Sequence, residues 1–230
     1  MSGRSPRWFT GIKYPYEANF ADNTWEQIIA ACQRGTVPET WAVGDQKTMT
    51  INGISYQIDI IGKNHDTYTA GGTAPLTFQM HECYHEKKRM NLAATNKGGW
   101  TSCDMRTKHL PGILSKMPTE VQNSIREVNK LTSAGDYSTT IVTTADKLFL
   151  LSEIEIFGIV DRSVNGEGTL YDYYKAAGSR IKTFNGTATV WRERSPSADH
   201  DYMFCNVYST GTSSQSDANY DRGVAFAFCF

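Results

Sequence analysis

The closing stretch Gly223-Val224-Ala225-Phe226-Ala227-Phe228-Cys229-Phe230 constrains the fold most. Val224, Phe226, Phe228 and Phe230 alternate with the small Ala225, Ala227 and Cys229, so neither face of an extended chain would be polar. Such a segment belongs in a central strand covered on both sides. Upstream, Val190-Trp191-Arg192-Glu193-Arg194-Ser195-Pro196 opens a second strand-like run, and the residues between, Ser197 to Asp221, are rich in Ser, Thr, Asn, Asp, Tyr, His and Gly. The expectation is a stiff frame around a polar, aromatic insert.

A covered strand needs a core, and the chain has material for one. Its 230 residues are 40% hydrophobic and 12% aromatic, enough for one large domain burying roughly 70–75% of its unfolded surface. The formal charge of -1, with both signs interspersed, gives no reason to expect nucleic acid or an acidic membrane as partner. Cys32, Cys83, Cys103, Cys205 and Cys229 follow neither a disulfide framework nor a paired zinc spacing, and the odd number favours reduced thiols. The start carries no apolar core of a secretory signal, and no run reaches the ~18 apolar residues of a membrane span. Work outside a cell would therefore be done as part of a larger particle.

Residues 1 to 20 read as an arm or connector, with Trp8, Phe9, Tyr14, Tyr16 and Phe20 in no clear period, and 21–230 as the domain. Trp25, Ile28, Ile29 and Cys32 at i, i+3, i+4 and i+7 predict an amphipathic helix, capped by Asp22 or Asn23 and ended by Gly35. Lys47–Ile51 and Ile54–Ile61 read as a hairpin around Asn52-Gly53, a pair at ease at positive φ. Leu76–Glu82 reads as a strand, and Gly98-Gly99 as a tight turn beside Trp100. Residues 102–109 and 118–128 read as helices, the second with Pro118 at its start and Val121, Ile125 and Val128 on one face. Strands are expected at Ser138–Thr143, Leu148–Leu151, Thr189–Arg194, Met203–Ser209 and Val224–Phe230. Ser152 and Glu155 form the pattern of a capping box for a short helix to Phe157, stopped by Gly158.

Few residues suggest bond-making chemistry. His81, Cys83 and His85 would share one face of a strand and are good zinc ligands, but no fourth ligand is signalled nearby. Cys205 with His200 could be offered as a thiol and a base, and Asp199 with Asp201 as paired carboxylates, yet no nucleophile motif, Gly-rich phosphate loop or metalloprotease motif surrounds them. The tyrosines carry more, because Tyr with Ser, Gly and Asn is the chemistry of loop-based binding surfaces. Tyr202, Phe204, Asn206 and Tyr208 would line one face of a strand, with Cys205 and Val207 on the other.

Four stretches together resemble a known group of domains: Trp191 to Pro196, Gly98-Gly99-Trp100 with Met105-Arg106, Asp146 to Ser152 with Glu155, and Gly223 to Phe228. Over about residues 22–230 the chain resembles an uncharacterised domain family of gut bacteria and their phages, with a C-type-lectin-like fold of the formylglycine-generating-enzyme type. It also resembles the variable proteins of diversity-generating retroelements. The resemblance implies an α+β domain of short, mostly antiparallel strands, a few short helices and long loops. It implies a scaffold of Trp191 and Val224–Phe230, and a ligand-binding surface built from Arg192, Arg194, Asp199, His200, Tyr202, Asn206, Tyr208, Ser213, Gln215, Asn219 and Tyr220. Residues reachable by changing the adenines of an Asn codon, which include Tyr, Asp, His, Ser, Thr and Gly, make up much of the insert. The charged Arg192-Glu193-Arg194 departs from the family's more apolar pattern, and the Glu-Pro-Asn or Gln-Pro-Asp motif of calcium-dependent lectins does not occur.

The implied function is receptor binding by a phage tail or bacterial surface adhesion protein, with a host-cell protein or glycan as partner and no cofactor, metal or catalytic residue. Contacts to other virion proteins and trimeric display are implied too. Two alternatives stand beside it. One is a copper- or thiol-dependent oxidoreductase using Cys205 and Cys229, and the other a purely structural virion component.

Overall fold

The structure is a computed structural model describing residues 16–176 and 178–230. The expected arm falls largely outside them, including Trp8, Phe9 and Tyr14. Its last residue does not behave as a connector: Phe20 is buried, with its ring 5.3 Å from that of Trp41 and 6.2 Å from that of Phe78.

Helix α1 (Trp25–Arg34) forms as its periodicity predicts, burying Trp25, Ile28, Ile29 and Cys32, with Gly35 left-handed at its end. The cap is Thr24, not Asp22 or Asn23. Thr24 and Gln27 make a reciprocal capping box, while Asn23 is buried and donates to the carbonyls of Glu17, Asn19 and Phe20. The hairpin of β1 (Gln46–Ile51) and β2 (Ile54–Lys63) turns on Asn52 and Gly53 at φ 51° and 77°, the two positive values a type I′ turn requires.

Strand β3 (Leu76–Met80) ends before Glu82. Beyond it come α2 (Gly99–Ser102), a π-helical turn (Met105–His109) running into α3 (Leu110–Leu114), and α4 (Thr119–Ser124). Gly99 is at φ 53°, and a Cβ there would lie 2.2 Å from the Ser133 carbonyl oxygen, so only glycine lets these two backbones meet. Helix α4 stops at Ser124, short of the expected 128, because Val128 opens β4 (Val128–Ser133), which pairs with β5 (Ile141–Asp146). Leu148–Leu151 is not a strand and contributes only a bridge from Phe149 to Ala227. Helix α5 (Glu153–Phe157) has the expected capping box of Ser152 and Glu155 and ends at left-handed Gly158. Next come α6 (Asp172–Lys175) and a hairpin of β6 (Lys182–Phe184) and β7 (Thr187–Thr189), whose Asn185-Gly186 turn repeats the geometry of Asn52-Gly53. The chain finishes with β8 (Trp191–Pro196), β9 (Met203–Val207), β10 (Ser213–Asp217) and β11 (Ala227–Cys229).

The protein is thus mixed α+β, with antiparallel strand pairs throughout the described sheets: β1-β2-β3-β11, β10-β9-β8, β4-β5 and β6-β7. Val224 to Phe230 are all fully buried, as expected. The regular strand is shorter than that run and ends its sheet order instead of sitting centrally. Its far side is still satisfied, because Phe149 exchanges two backbone hydrogen bonds with Ala227 and the Arg126 amide donates to Cys229. Phe228 stacks on Phe78 at 5.4 Å, and Trp25 sets its ring 6.0 Å from both Phe78 and Phe230, locking α1 onto the sheet.

A polar knot crosses this core. Lys130 lies 2.8 Å from Asp66 and 2.7 Å from Glu155, Tyr171 donates to Asp66, and Arg194 pairs with Glu155. Burial works against the Asp66 carboxylate, but the Lys130 charge and hydrogen bond and the Thr77 hydroxyl outweigh it and hold its pKa at about 2. Among the described residues no helix is long and apolar enough to cross a membrane.

Candidate functional site

The polar insert hangs on the β10-β9-β8 sheet. In register, Trp191 faces Val207, Arg192 faces Asn206 and Pro196 faces Phe204, so four steps along β8 answer to two along β9. This bulge takes Glu193 to Ser195 out of the ladder, and the Arg194 amide bonds the Leu151 carbonyl instead, at 2.9 Å. On its other edge β8 meets Gly223, whose carbonyl accepts from Arg192 N at 2.9 Å.

The residues expected to contact ligand divide into three groups. Tyr202, Tyr208 and Tyr220 are 36%, 46% and 49% exposed, and Asp199 is exposed beside them in sequence. His200, Ser213, Gln215 and Asn219 are half-buried. Arg192, Arg194 and Asn206 are fully buried, which corrects their assignment to the surface. The expected polar face on β9 is also corrected: Phe204, Cys205, Asn206 and Val207 are all buried, so both faces of β9 are covered. Tyr202 and Tyr208 lie beyond its opposite ends. Six residue steps at about 3.3 Å each separate them by roughly 20 Å.

The buried residues hold the loops. Arg192 donates through Nη1 to the Ser216 hydroxyl (3.1 Å), the Ser216 carbonyl (3.3 Å) and Asn206 Oδ1 (3.2 Å), and through Nη2 to the carbonyls of Asp217 (2.7 Å) and Tyr220. Among the described residues no carboxylate pairs with it, and burial followed by the Arg222 charge pushes its guanidinium down to about 9, still charged at neutral pH. Arg194 forks onto Glu155 and donates to the carbonyls of Leu131, Leu150 and Glu167. Between the two arginines, Glu193 is fully buried with both carboxylate oxygens unpartnered among the described residues. Burial, with Glu153 and Glu167 nearby, raises its pKa far above 4.5, so it stays protonated.

Asn96 is a loop-anchoring residue that the sequence did not expose. Fully buried, it donates its side-chain amide to the carbonyls of Ser197 (3.2 Å), His200 (2.7 Å) and Met203 (2.9 Å), while its Oδ1 accepts from Asp136 N at 2.8 Å. Its own backbone N–H reaches the Asp201 carbonyl at 2.6 Å. An asparagine in a polar stretch before Gly98-Gly99 carries no local mark of this role, because the carbonyls it donates to lie 101 to 107 residues away. Glu153 serves the neighbouring loop, accepting from the amides of Asp161, Arg162 and Ser163 and from the Ser213 hydroxyl at 2.7 Å. Ser197, Gln215 and His200 knit the loop base, through Ser197 Oγ to Gln215 at 2.8 Å and Gln215 to His200 at 3.2 Å.

The other chemical candidates are placed apart from this face. His81 binds Asp59 through Nδ1 at 2.9 Å, His85 binds the Tyr56 hydroxyl at 2.7 Å, and Cys83 is buried against Gly223. The strand that would have aligned them ends at Met80, and among the described residues no three His, Cys, Asp or Glu side chains are grouped to hold a metal. All five thiols are buried and unpaired. Burial pushes Cys32, Cys83 and Cys103 up to about 12 and raises Cys205 and Cys229 well above the usual thiol range, leaving negligible thiolate at neutral pH.

Residues 74–230, well over half of the chain, match the family model described as Domain of unknown function (DUF6273). No curated protein and no solved structure matches the chain.

Proposed function

The chain belongs to the DUF6273 family, and on that premise we propose that it is a ligand-binding module whose surface is the set of loops between Ser197 and Asp221. The observation that carries this reading is how the loops are held. Asn96 and Arg192 grip carbonyl oxygens at Ser197, His200, Met203, Ser216, Asp217 and Tyr220, and every residue has a carbonyl. Among the described residues the side chains of Asp199, Asp201, Tyr202, Tyr208 and Tyr220 make no hydrogen bond or ion pair. Fixed backbone with aromatic and acidic side chains free of hydrogen bonds suits recognition, since the contacts are presented with little ordering left to do on binding.

The finer reading is a C-type-lectin-like adhesion or phage-tail domain of the kind diversified by retroelements, bound to a host-cell protein or glycan and displayed in several copies. Multivalent display would raise avidity by ~10²–10⁴ without new contacts. The backbone grip supports that reading because it tolerates changes of side chain. Buried thiols, by contrast, give the oxidoreductase alternative no accessible sulfur.

The test is adsorption of the purified protein to candidate host cells, comparing it with a Tyr202→Ala, Tyr208→Ala, Tyr220→Ala triple variant. Lost adsorption at unchanged melting temperature is the expected result. Full retention by a folded triple variant would overturn the assignment of this surface.

A further inference from the structure

A small cleft of about 150 Å³ lies between the 86–88 segment and the helical run of the π turn and α3, lined by Glu86, Lys88, Lys108, His109, Gly112 and Lys116. We propose that it is a binding site for one tetrahedral oxyanion, a phosphate or sulfate group. Three lysines and an imidazole line it, with Glu86 in the lining and Asp104 beside Lys108 as the nearby paired carboxylates. Glu86 is engaged by Lys88 and by His85 at 3.4 Å, and Lys108 is tethered to Asp104 at 2.7 Å. Lys116 is exposed and has no ion-pair partner among the described residues.

The second observation is His109. Its Nε2 is shielded from solvent and has no hydrogen-bond partner among the described residues. Burial and then the Lys88 charge, with Arg89 adding to it, lower its pKa against the opposing pull of Asp104 and Asp221. His109 lines the cleft, so an oxyanion there would reverse that balance through its charge, by compensating the lysines beside the ring. Lysine ammonium groups bind phosphate and sulfate as compact point charges, and the cleft mouth at Gly112 is open, with nothing within 4 Å of a Cβ built there. The Lys88 backbone pairs with Arg222 at 2.9 and 3.1 Å, so the site adjoins the loop face but uses none of its residues.

The experiment follows the His109 ring by NMR during titration with sodium sulfate, with sodium chloride at matched ionic strength as control. Sulfate keeps its charge across this range, so pH acts through the protein. A saturable shift with sulfate alone is expected, with binding several-fold tighter near pH ~6 than near ~7.5, because the anion favours the imidazolium. His109→Gln should flatten that pH dependence. Lys116→Glu, at an exposed position, should lose at least about tenfold in affinity with no change in melting temperature, equivalent to ~1.4 kcal/mol. Sulfate and chloride acting alike, or sulfate binding undiminished in Lys116→Glu, overturns the proposal. Inorganic phosphate and glucose 6-phosphate then distinguish the source: tighter binding of the ester points to a phosphorylated or sulfated glycan, and equal binding to the free ion. Neither result bears on the tyrosine surface.

Discussion

The side-chain amide of Asn96 lies 2.7 Å from the carbonyl oxygen of His200, 104 residues further along the chain. With its bonds to Ser197 and Met203, that contact makes one interior residue the anchor of the whole 197–203 loop. Asn96→Ala would leave the Ser197 and His200 carbonyls and the Asp136 amide without partners, while the Met203 carbonyl keeps the Ser197 amide. At about 1–3 kcal/mol for each unsatisfied buried group, partly relieved by water, a loss of about 2–4 kcal/mol is expected in denaturant unfolding. Tyr202→Ala, on the same loop, should change stability by less than about 1 kcal/mol.

Arg192 holds the second loop segment with two nitrogens shared among five acceptors. Lysine keeps the charge but cannot present that planar fork. Arg192→Lys should therefore cost about 2–4 kcal/mol. Hydrogen exchange should also quicken at the amides of Ala218 and Tyr220 before the β1-β2 hairpin is affected.

Glu193 predicts an unusual dependence on pH. Its folded pKa is raised, so the stability linked to its protonated form is complete below about 4.5 and is lost as pH climbs towards the folded value. Glu193→Gln keeps the shape and removes the titration. Its stability relative to the natural protein should be nearly equal near pH 4 and should grow at up to ~1.4 kcal/mol per pH unit above that. Chemical denaturation across pH measures it, and parallel curves would show that Glu193 ionises freely.

Gly135 sits at φ 71°, where a Cβ would fall 2.0 Å from the Asn96 carbonyl oxygen. Gly135→Ala must push the Asn96 backbone away. The expected result is a loss of about 2 kcal/mol or more, together with weaker binding through a loop that the substitution never touches.

Local chemistry made part of this fold legible. Capping at Ser152-Glu155, the helical period from Trp25 to Cys32 and the Asn52-Gly53 turn each depend on residues a few positions apart. Strand β10 was not legible, because Ser213-Ser214-Gln215-Ser216-Asp217 has no apolar alternation and is a strand only through pairing with β9. Arg192 and Arg194 misled for a related reason. Charged side chains are normally exposed, and what draws these inside are carbonyls and a carboxylate supplied by distant segments. The tyrosines at the loop ends were readable as exposed, but their separation along β9 depended on knowing where that strand begins and stops.

The three carbonyls that meet on the Asn96 side chain come from positions 197, 200 and 203, one every third residue. A side-chain replacement leaves that cadence intact, whereas inserting or deleting a single residue would carry one oxygen out of reach. At the exposed positions 199, 201 and 202 residue identity should thus drift while the loop's length stays fixed, so workable variants should be rewritten letter by letter there without a change in the number of letters.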